Sequence, residues 1–235
     1  MEKLNIRWLS GFESCPLSID TAFQARPQVL ITAHSGAENT EPNTLESINK
    51  LMDIPCDALE VDVRRTSDGS LRLGHDSAQD GPTLEQCIQM LCHSSSHLLN
   101  CDLKESRLAL DVLDIAKKYS MADRIVFTGE PLDFNELAAA AELHAQVWLN
   151  TRQIRRDGNA SVDIKAARDL GLSWLNLCYL ELVPELTLPA LKESGLSLSA
   201  WTADTEEIIS RLLSIGVQNI TTRRPNLALR LRDGE

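Results

Sequence analysis

Apolar positions along this chain follow two rhythms. Short runs rich in Val, Ile and Leu, some alternating with polar residues, read as strands. The stretches between them repeat apolar residues every three or four positions and read as helices. Strands are expected over 29–33, 58–63, 71–73, 98–103, 125–127, 147–149, 174–178, 196–201 and 219–222. Helices are expected over 44–52, 83–91, 108–119, 135–143, 162–170, 188–193, 206–215 and onward from Pro225. Thr44 or Asn43, and Thr83, stand where N-caps belong, and Gly171, Gly195 and Gly216 where a left-handed glycine ends a helix.

The run 71–73 follows the turn at Asp68-Gly69 and reads as a small added strand. With it set aside, eight strands each precede a helix, which is the count of a (β/α)8 TIM barrel. An open doubly wound sheet is the rival. It calls for an early glycine-rich phosphate turn, and the chain has no GxGxxG. A single domain over 1–235 is expected, with residues 1–27 outside the repeat as a cap on the N-terminal mouth of the barrel.

Composition narrows the partners. The 235 residues are 43% hydrophobic and 24% charged, as in an ordinary globular protein. The net charge of −11 argues against binding nucleic acid by phosphate neutralisation and against an anionic membrane surface. No segment approaches the roughly 18 apolar residues of a membrane span, and the first residues lack the apolar core of a secretory signal. The six cysteines show no zinc spacing and read as reduced thiols. A cytoplasmic protein with a small-molecule partner, and without stable membrane insertion, is expected.

In a TIM barrel the chemistry sits at the C-terminal ends of the strands. His34 follows the first strand, Glu60 and Asp62 share one face of the second, and His75 comes just past the small hairpin. Asn100, Asp102 and Lys104 share a face of the third. Taken alone, Glu-x-Asp reads as a solvated face of an edge strand. A barrel has no edge, and Leu59, Val61 and Val63 must face the helices, so Glu60 and Asp62 point inward. There an unpaired carboxylate is costly, and a metal ion or Lys104 would resolve the cost. The hard oxygens of Glu60, Asp62 and Asp102 suit Mg²⁺ or Ca²⁺ better than Zn²⁺. A divalent ion with two histidines fits acid–base cleavage of a phosphate ester. His93, His97 and His144 are read as surface or structural residues on helices or helix ends. Asn150, Asn176 and Trp201, at the ends of later strands, are candidates to line a substrate pocket, with simple packing as the alternative.

These residues stand in runs that resemble a known family. Ala33-His34-Ser35-Gly36-Ala37, Pro42-Asn43-Thr44-Leu45-Glu46-Ser47, Leu59-Glu60-Val61-Asp62-Val63, Thr66-Ser67-Asp68-Gly69 and His75-Asp76 are similar to the ordered motifs of the glycerophosphodiester phosphodiesterases. So are Asp102-Leu103-Lys104, Trp201-Thr202, Gly216-Val217 and Ile220-Thr221-Thr222-Arg223-Arg224-Pro225. The resemblance implies a barrel of the phospholipase C-like phosphodiesterase type. It also implies metal-dependent hydrolysis of glycerophosphodiesters to glycerol 3-phosphate and an alcohol, within lipid and glycerol metabolism. Carried over by position, Glu60, Asp62 and Asp102 would hold the metal, His34 and His75 would be the acid–base pair, and Lys104 would contact the phosphate.

The chain departs from that pattern. The family's arginine after the first histidine is Ser35 here, which cannot grip a phosphate with a guanidinium fork. The glutamate of Pro-Glu-Asn-Thr is missing, the third metal ligand is an aspartate, and a late Thr-Asp is Thr222-Arg223. Arg64, which continues the parity of Glu60 and Asp62, and Arg223, at the end of the last strand, are the candidate replacement cations. The alternative is a catalytically altered barrel that binds a phosphodiester or head group without turnover.

Overall fold

The computed structural model describes residues 29–94, 96–129, 133–150 and 161–234. The expected cap over 1–27 lies outside them. Nine strands appear among the described residues: β1 Leu30–Ala33, β2 Ala58–Arg65, β3 Leu71–Leu73, β4 Leu98–Leu103, β5 Ile125–Gly129, β6 Gln146–Asn150, β7 Trp174–Cys178, β8 Ser197–Trp201 and β9 Asn219–Thr222. The helices are α1 Leu45–Leu51, α2 Leu84–Ser94, α3 Ala109–Lys118, α4 Phe134–Glu142, α5 Ser161–Asp169, α6 Pro184–Ser194, α7 Glu206–Ile215 and α8 Pro225–Asp233.

All strands but β3 pair in parallel, and β1 pairs with both β2 and β9. The eight parallel strands therefore close into a (β/α)8 barrel. β3 stands apart as an antiparallel partner to the far end of β2. The caps follow the local chemistry. The Thr44 and Thr205 hydroxyls accept from the N–H groups of Ser47 and Ile208. Thr83 and Gln86 cap each other reciprocally: the Thr83 hydroxyl accepts from Gln86 N–H, and Gln86 Oε1 accepts from Thr83 N–H.

The two-residue period sorts each strand. Ile31, Leu59, Val61, Leu99, Cys101, Phe127, Val147, Leu175, Leu198 and Ile220 face outward into the apolar layer under the helices. Leu30, Ala58, Leu98, Val126, Trp148 and Trp174 face inward and fill the N-terminal end of the barrel. Trp148 and Trp174 stack there with ring centroids 4.7 Å apart. One step further along the strands the interior turns polar. The Thr32 hydroxyl donates to Asn219 Oδ1 at 2.8 Å, and Asn219 Nδ2 donates to Ser199 Oγ at 2.9 Å. An apolar plug and a hydrogen-bonded polar layer thus form the floor under the C-terminal mouth.

Some boundaries differ from the sequence reading. β2 runs on to Arg65 because β3 pairs with its last residues. α6 begins at Pro184, in the first turn where a missing N–H costs nothing, and carries Pro189 inside it. The expected 188–193 covers only the second half of that helix. His97 lies just before β4 rather than on a helix; it is buried, with Nε2 2.9 Å from the Ile54 carbonyl.

Candidate active site

The C-terminal mouth of the barrel holds a cavity of 390 Å³. Its walls include His34, Glu60, Asp62, His75, Asp102 and Lys104. Register explains the convergence. Glu60 pairs with Asn100 and Asp62 with Asp102 across β2 and β4, so their side chains rise inward side by side. Oxygens of Glu60, Asp62 and Asp102 all lie within 4.8 Å of one another. Oxygens sharing one hard cation at about 2.0–2.6 Å must lie within roughly twice that distance of each other. The spacing and the all-oxygen donor set therefore fit Mg²⁺ or Ca²⁺.

Each carboxylate is held from behind. Glu60 Oε2 accepts from the Ser35 N–H at 2.8 Å. Asp62 Oδ2 accepts from Asn43 Nδ2 at 2.7 Å, and the Asp62 N–H donates to Asn43 Oδ1 at 3.0 Å. Asp102 Oδ1 accepts from the Thr128 hydroxyl at 3.2 Å. Lys104 Nζ bridges Asp62 Oδ1, at 2.8 Å, and Asp102 Oδ2. Burial, with Asp62 and Asp102 adding their negative charge, pushes the Glu60 carboxyl well above the usual carboxylate range. Burial alone would pull Lys104 down, but Asp102 and Asp62 outweigh it and leave the ammonium raised.

His34 sits just past β1, its N–H bonded to the Thr222 carbonyl at 2.9 Å. Nδ1 lies 2.6 Å from the Ser35 carbonyl, an acceptor only, so Nδ1 carries the proton and Nε2 is the basic nitrogen. Burial, helped by the Arg223 charge, pulls His34 below the usual histidine range. His75 is two-thirds exposed, and its Nδ1 lies 2.8 Å from Asp76 Oδ1.

The structure also brings Asn150, Asn176, Trp201 and Arg223 to this mouth. Asn176 Nδ2 donates to Asn150 Oδ1 at 2.8 Å, while Asn176 Oδ1 and Trp201 Nε1 are buried with no partner among the described residues. Arg64 is not brought in. By that position β2 has left the barrel for the hairpin, and the guanidinium binds the His75 carbonyl at 2.7 Å and Glu105 at 3.1 Å. Residues the sequence reading did not place in the site complete it. Thr128 supports Asp102, and inward parity from Val126 could have found it. Asn43 clamps Asp62 from a loop, where no period helps. The Ser35 hydroxyl accepts from the Asn43 N–H at 2.8 Å, so it braces the loop.

A model of the Glycerophosphoryl diester phosphodiesterase family matches residues 34–92, the stretch that carries both histidines, Glu60 and Asp62. A glycerophosphodiester phosphodiesterase of Caldanaerobacter subterraneus is 22% identical over 87% of this chain and 98% of the relative. The family model and the curated relative point to the glycerophosphodiester phosphodiesterase family. It is a family of phosphoric diester hydrolases. Among solved structures, a family member from Parabacteroides distasonis superposes with a TM-score of 0.74 at 20% identity, covering 88% of this chain and 98% of that one. An Oleispira antarctica phosphodiesterase, in complex with the product sn-glycerol-3-phosphate, gives a TM-score of 0.70 at 15% identity, covering 88% and 97%. The shared barrel is the fold of the family. No helix among the described residues is long and apolar enough to cross a membrane.

Proposed function

We propose that this chain hydrolyses small glycerophosphodiesters to glycerol 3-phosphate and an alcohol, as a cytoplasmic enzyme that depends on Mg²⁺ or Ca²⁺. The observation that carries this reading is the meeting of Glu60, Asp62 and Asp102 with His34 and His75 around one cavity. Glu60, Asp62 and Asp102 would hold the ion, which when bound polarises the phosphoryl oxygens and offsets the negative charge that accumulates on them.

The chain's own residues supply the proton transfers. Neutral His34, with Nε2 free, takes the proton from the substrate hydroxyl next to the phosphate. That oxygen then forms a bond to phosphorus as the bond to the leaving alcohol breaks. His75, its ring oriented by Asp76, gives a proton to the departing oxygen. The resulting cyclic phosphate is opened by water with the two histidine roles reversed, which returns both protons. Lys104 faces the phosphate, Asn150 and Asn176 offer amide groups to substrate hydroxyls, and Trp201 covers the alcohol or glycerol carbons.

One observation favours binding without turnover. The Ser35 hydroxyl braces the loop by accepting from the Asn43 N–H, and Ser35 brings no cationic fork to the phosphate. One experiment separates the two readings. Glycerophosphocholine, glycerophosphoethanolamine and bis(p-nitrophenyl) phosphate are offered with Mg²⁺, Ca²⁺ or EDTA, with His34→Ala as control. Metal-dependent turnover that His34→Ala lowers by at least about a hundredfold is expected. Thermal stabilisation by the diester without turnover selects the binding module.

A further inference from the structure

The two cations that line the mouth are unequal. Lys104 is already shared between two carboxylates, so little of its charge is left for an anion. Arg223 enters from the β9 side and is fixed from two neighbouring loops. Asp204, just past β8, holds it twice: Oδ1 accepts from the Arg223 N–H at 2.7 Å, and Oδ2 accepts from Nη1 at 2.8 Å. Glu38, just past β1, donates its N–H to the Arg223 carbonyl at 2.9 Å, and its Oε1 accepts from the Asn226 N–H at 3.0 Å. The Thr222 hydroxyl accepts from the Arg224 N–H at 2.9 Å. An exposed ion pair contributes little to stability, so this much fixation is poorly explained as surface pairing. With Nη1 engaged by Asp204, the Nε–Nη2 edge is the one left to a ligand. That edge presents two parallel N–H donors, the fork that fits two oxygens of a phosphate.

We propose that Arg223 grips the non-bridging phosphate oxygens of the diester through its Nε–Nη2 edge, and that Asp204 is the positioning residue that aims it. The proposal rests on the phosphodiesterase reading of the mouth. It assigns the phosphate grip to the end of β9, which β1 alone separates from β2 and its carboxylates.

The test compares wild type, Arg223→Ala, Arg223→Lys and Asp204→Asn with Mg²⁺ present. Steady-state kinetics on glycerophosphoethanolamine are measured beside calorimetric titration with inorganic phosphate. Arg223→Ala is expected to raise KM and weaken phosphate binding by roughly 10- to 100-fold, the effect of losing charged hydrogen bonds. Arg223→Lys recovers only part of this, because an ammonium lacks the fork. Asp204→Asn raises KM by about three- to tenfold and changes kcat less, because the guanidinium remains but is no longer aimed. Guanidinium ion added in solution restores Arg223→Ala, a result that a merely structural role would not give. Arg223→Ala with wild-type KM and phosphate affinity overturns the proposal. Asp204→Asn with unchanged KM overturns the role of Asp204. A wild-type protein that binds phosphate through Arg223 without turnover refutes the hydrolase reading and upholds the grip. One that neither binds nor turns over refutes both.

Discussion

Asn43 is the residue on which the acidic cluster leans hardest, and replacing it gives a calculable result. Its side chain makes two buried hydrogen bonds to Asp62, one to the carboxylate at 2.7 Å and one from the backbone N–H at 3.0 Å. Its backbone is left-handed, with φ of 58°. Asn43→Ala removes a hydrogen bond to a charged group, about 1.5–3 kcal/mol, and leaves a buried N–H unpaired, about 1–3 kcal/mol. It also places alanine in a left-handed conformation that costs about 1–2 kcal/mol. Allowing for overlap between these effects, the loss is about 3–6 kcal/mol, a large fraction of the ~5–15 kcal/mol that holds a domain together. Asn43→Gly loses the same bonds without the backbone strain. That relief outweighs the extra ~0.4–1 kcal/mol of unfolded-state entropy a glycine brings, so it should be the more stable of the two. Equilibrium unfolding in urea measures both. Titration with Mg²⁺ or Ca²⁺ should show affinity reduced about 10- to 100-fold in each variant, because Asp62 is no longer oriented. A loss below about 1 kcal/mol in Asn43→Ala refutes the clamp. Equal stability of the two variants refutes the strain.

Two further outcomes can be checked in the same protein. Gly129, at the end of β5, has φ of 119°, and a Cβ there would lie 2.2 Å from the Leu103 carbonyl oxygen and 2.9 Å from Asp102 Oδ1. Gly129→Ala should therefore cost about 2–6 kcal/mol in urea unfolding from strain and overpacking together, and any folded fraction should bind metal poorly; an unchanged midpoint would show that β5 can shift freely. Burial pushes the Cys56 thiol, with Asp57 adding to the effect, and the Cys87 thiol up to about 12, from an ordinary value of 9.0. The folded state thus keeps these protons where the unfolded state loses them. Their contribution is fully present below pH 9 and falls by up to about 1.4 kcal/mol per pH unit per thiol as pH rises from there toward 12. Urea unfolding at several alkaline pH values should give a flatter decline for Cys56→Ala and Cys87→Ala than for wild type, and identical slopes would contradict the assignment.

The barrel was legible because closure makes parity informative. Once β1 and β9 pair, each strand has an inside and an outside, and Glu60, Asp62, Asn100 and Asp102 fall inside by counting in twos from Ala58 and Leu98. The same count misplaces Arg64, because it assumes that β2 is still a barrel strand where it already pairs with β3. It is silent on Asn43 and Asp204, which act from loops. Their roles depend on where the backbone of one loop meets the side chain of another, and no local period encodes that. The departure at Ser35 was visible in the chain, but its consequence was not. Only the structure shows the serine hydroxyl turned to the Asn43 backbone and the Arg223 guanidinium held by Asp204 at the end of the neighbouring strand β9.

The charges in the mouth also explain why three carboxylates persist there. Lys104 reaches Asp62 and Asp102 but has no contact with Glu60 among the described residues, and burial beside the two aspartates pushes Glu60 toward its neutral form. A cluster built only for stability would replace Glu60 by an uncharged residue, since a buried carboxylate beside two others is a net cost. Retaining it makes sense if the third negative charge serves a ligand. The ligand that offsets it best is a small divalent cation, because one ion touches all three oxygens at once, while an ammonium on a side chain reaches two. Glu60→Gln should accordingly stabilise the metal-free protein and cost most of its affinity for Mg²⁺ or Ca²⁺. A variant that loses stability and keeps metal affinity would mean that Glu60 is a structural residue, held by Ser35 for its own sake.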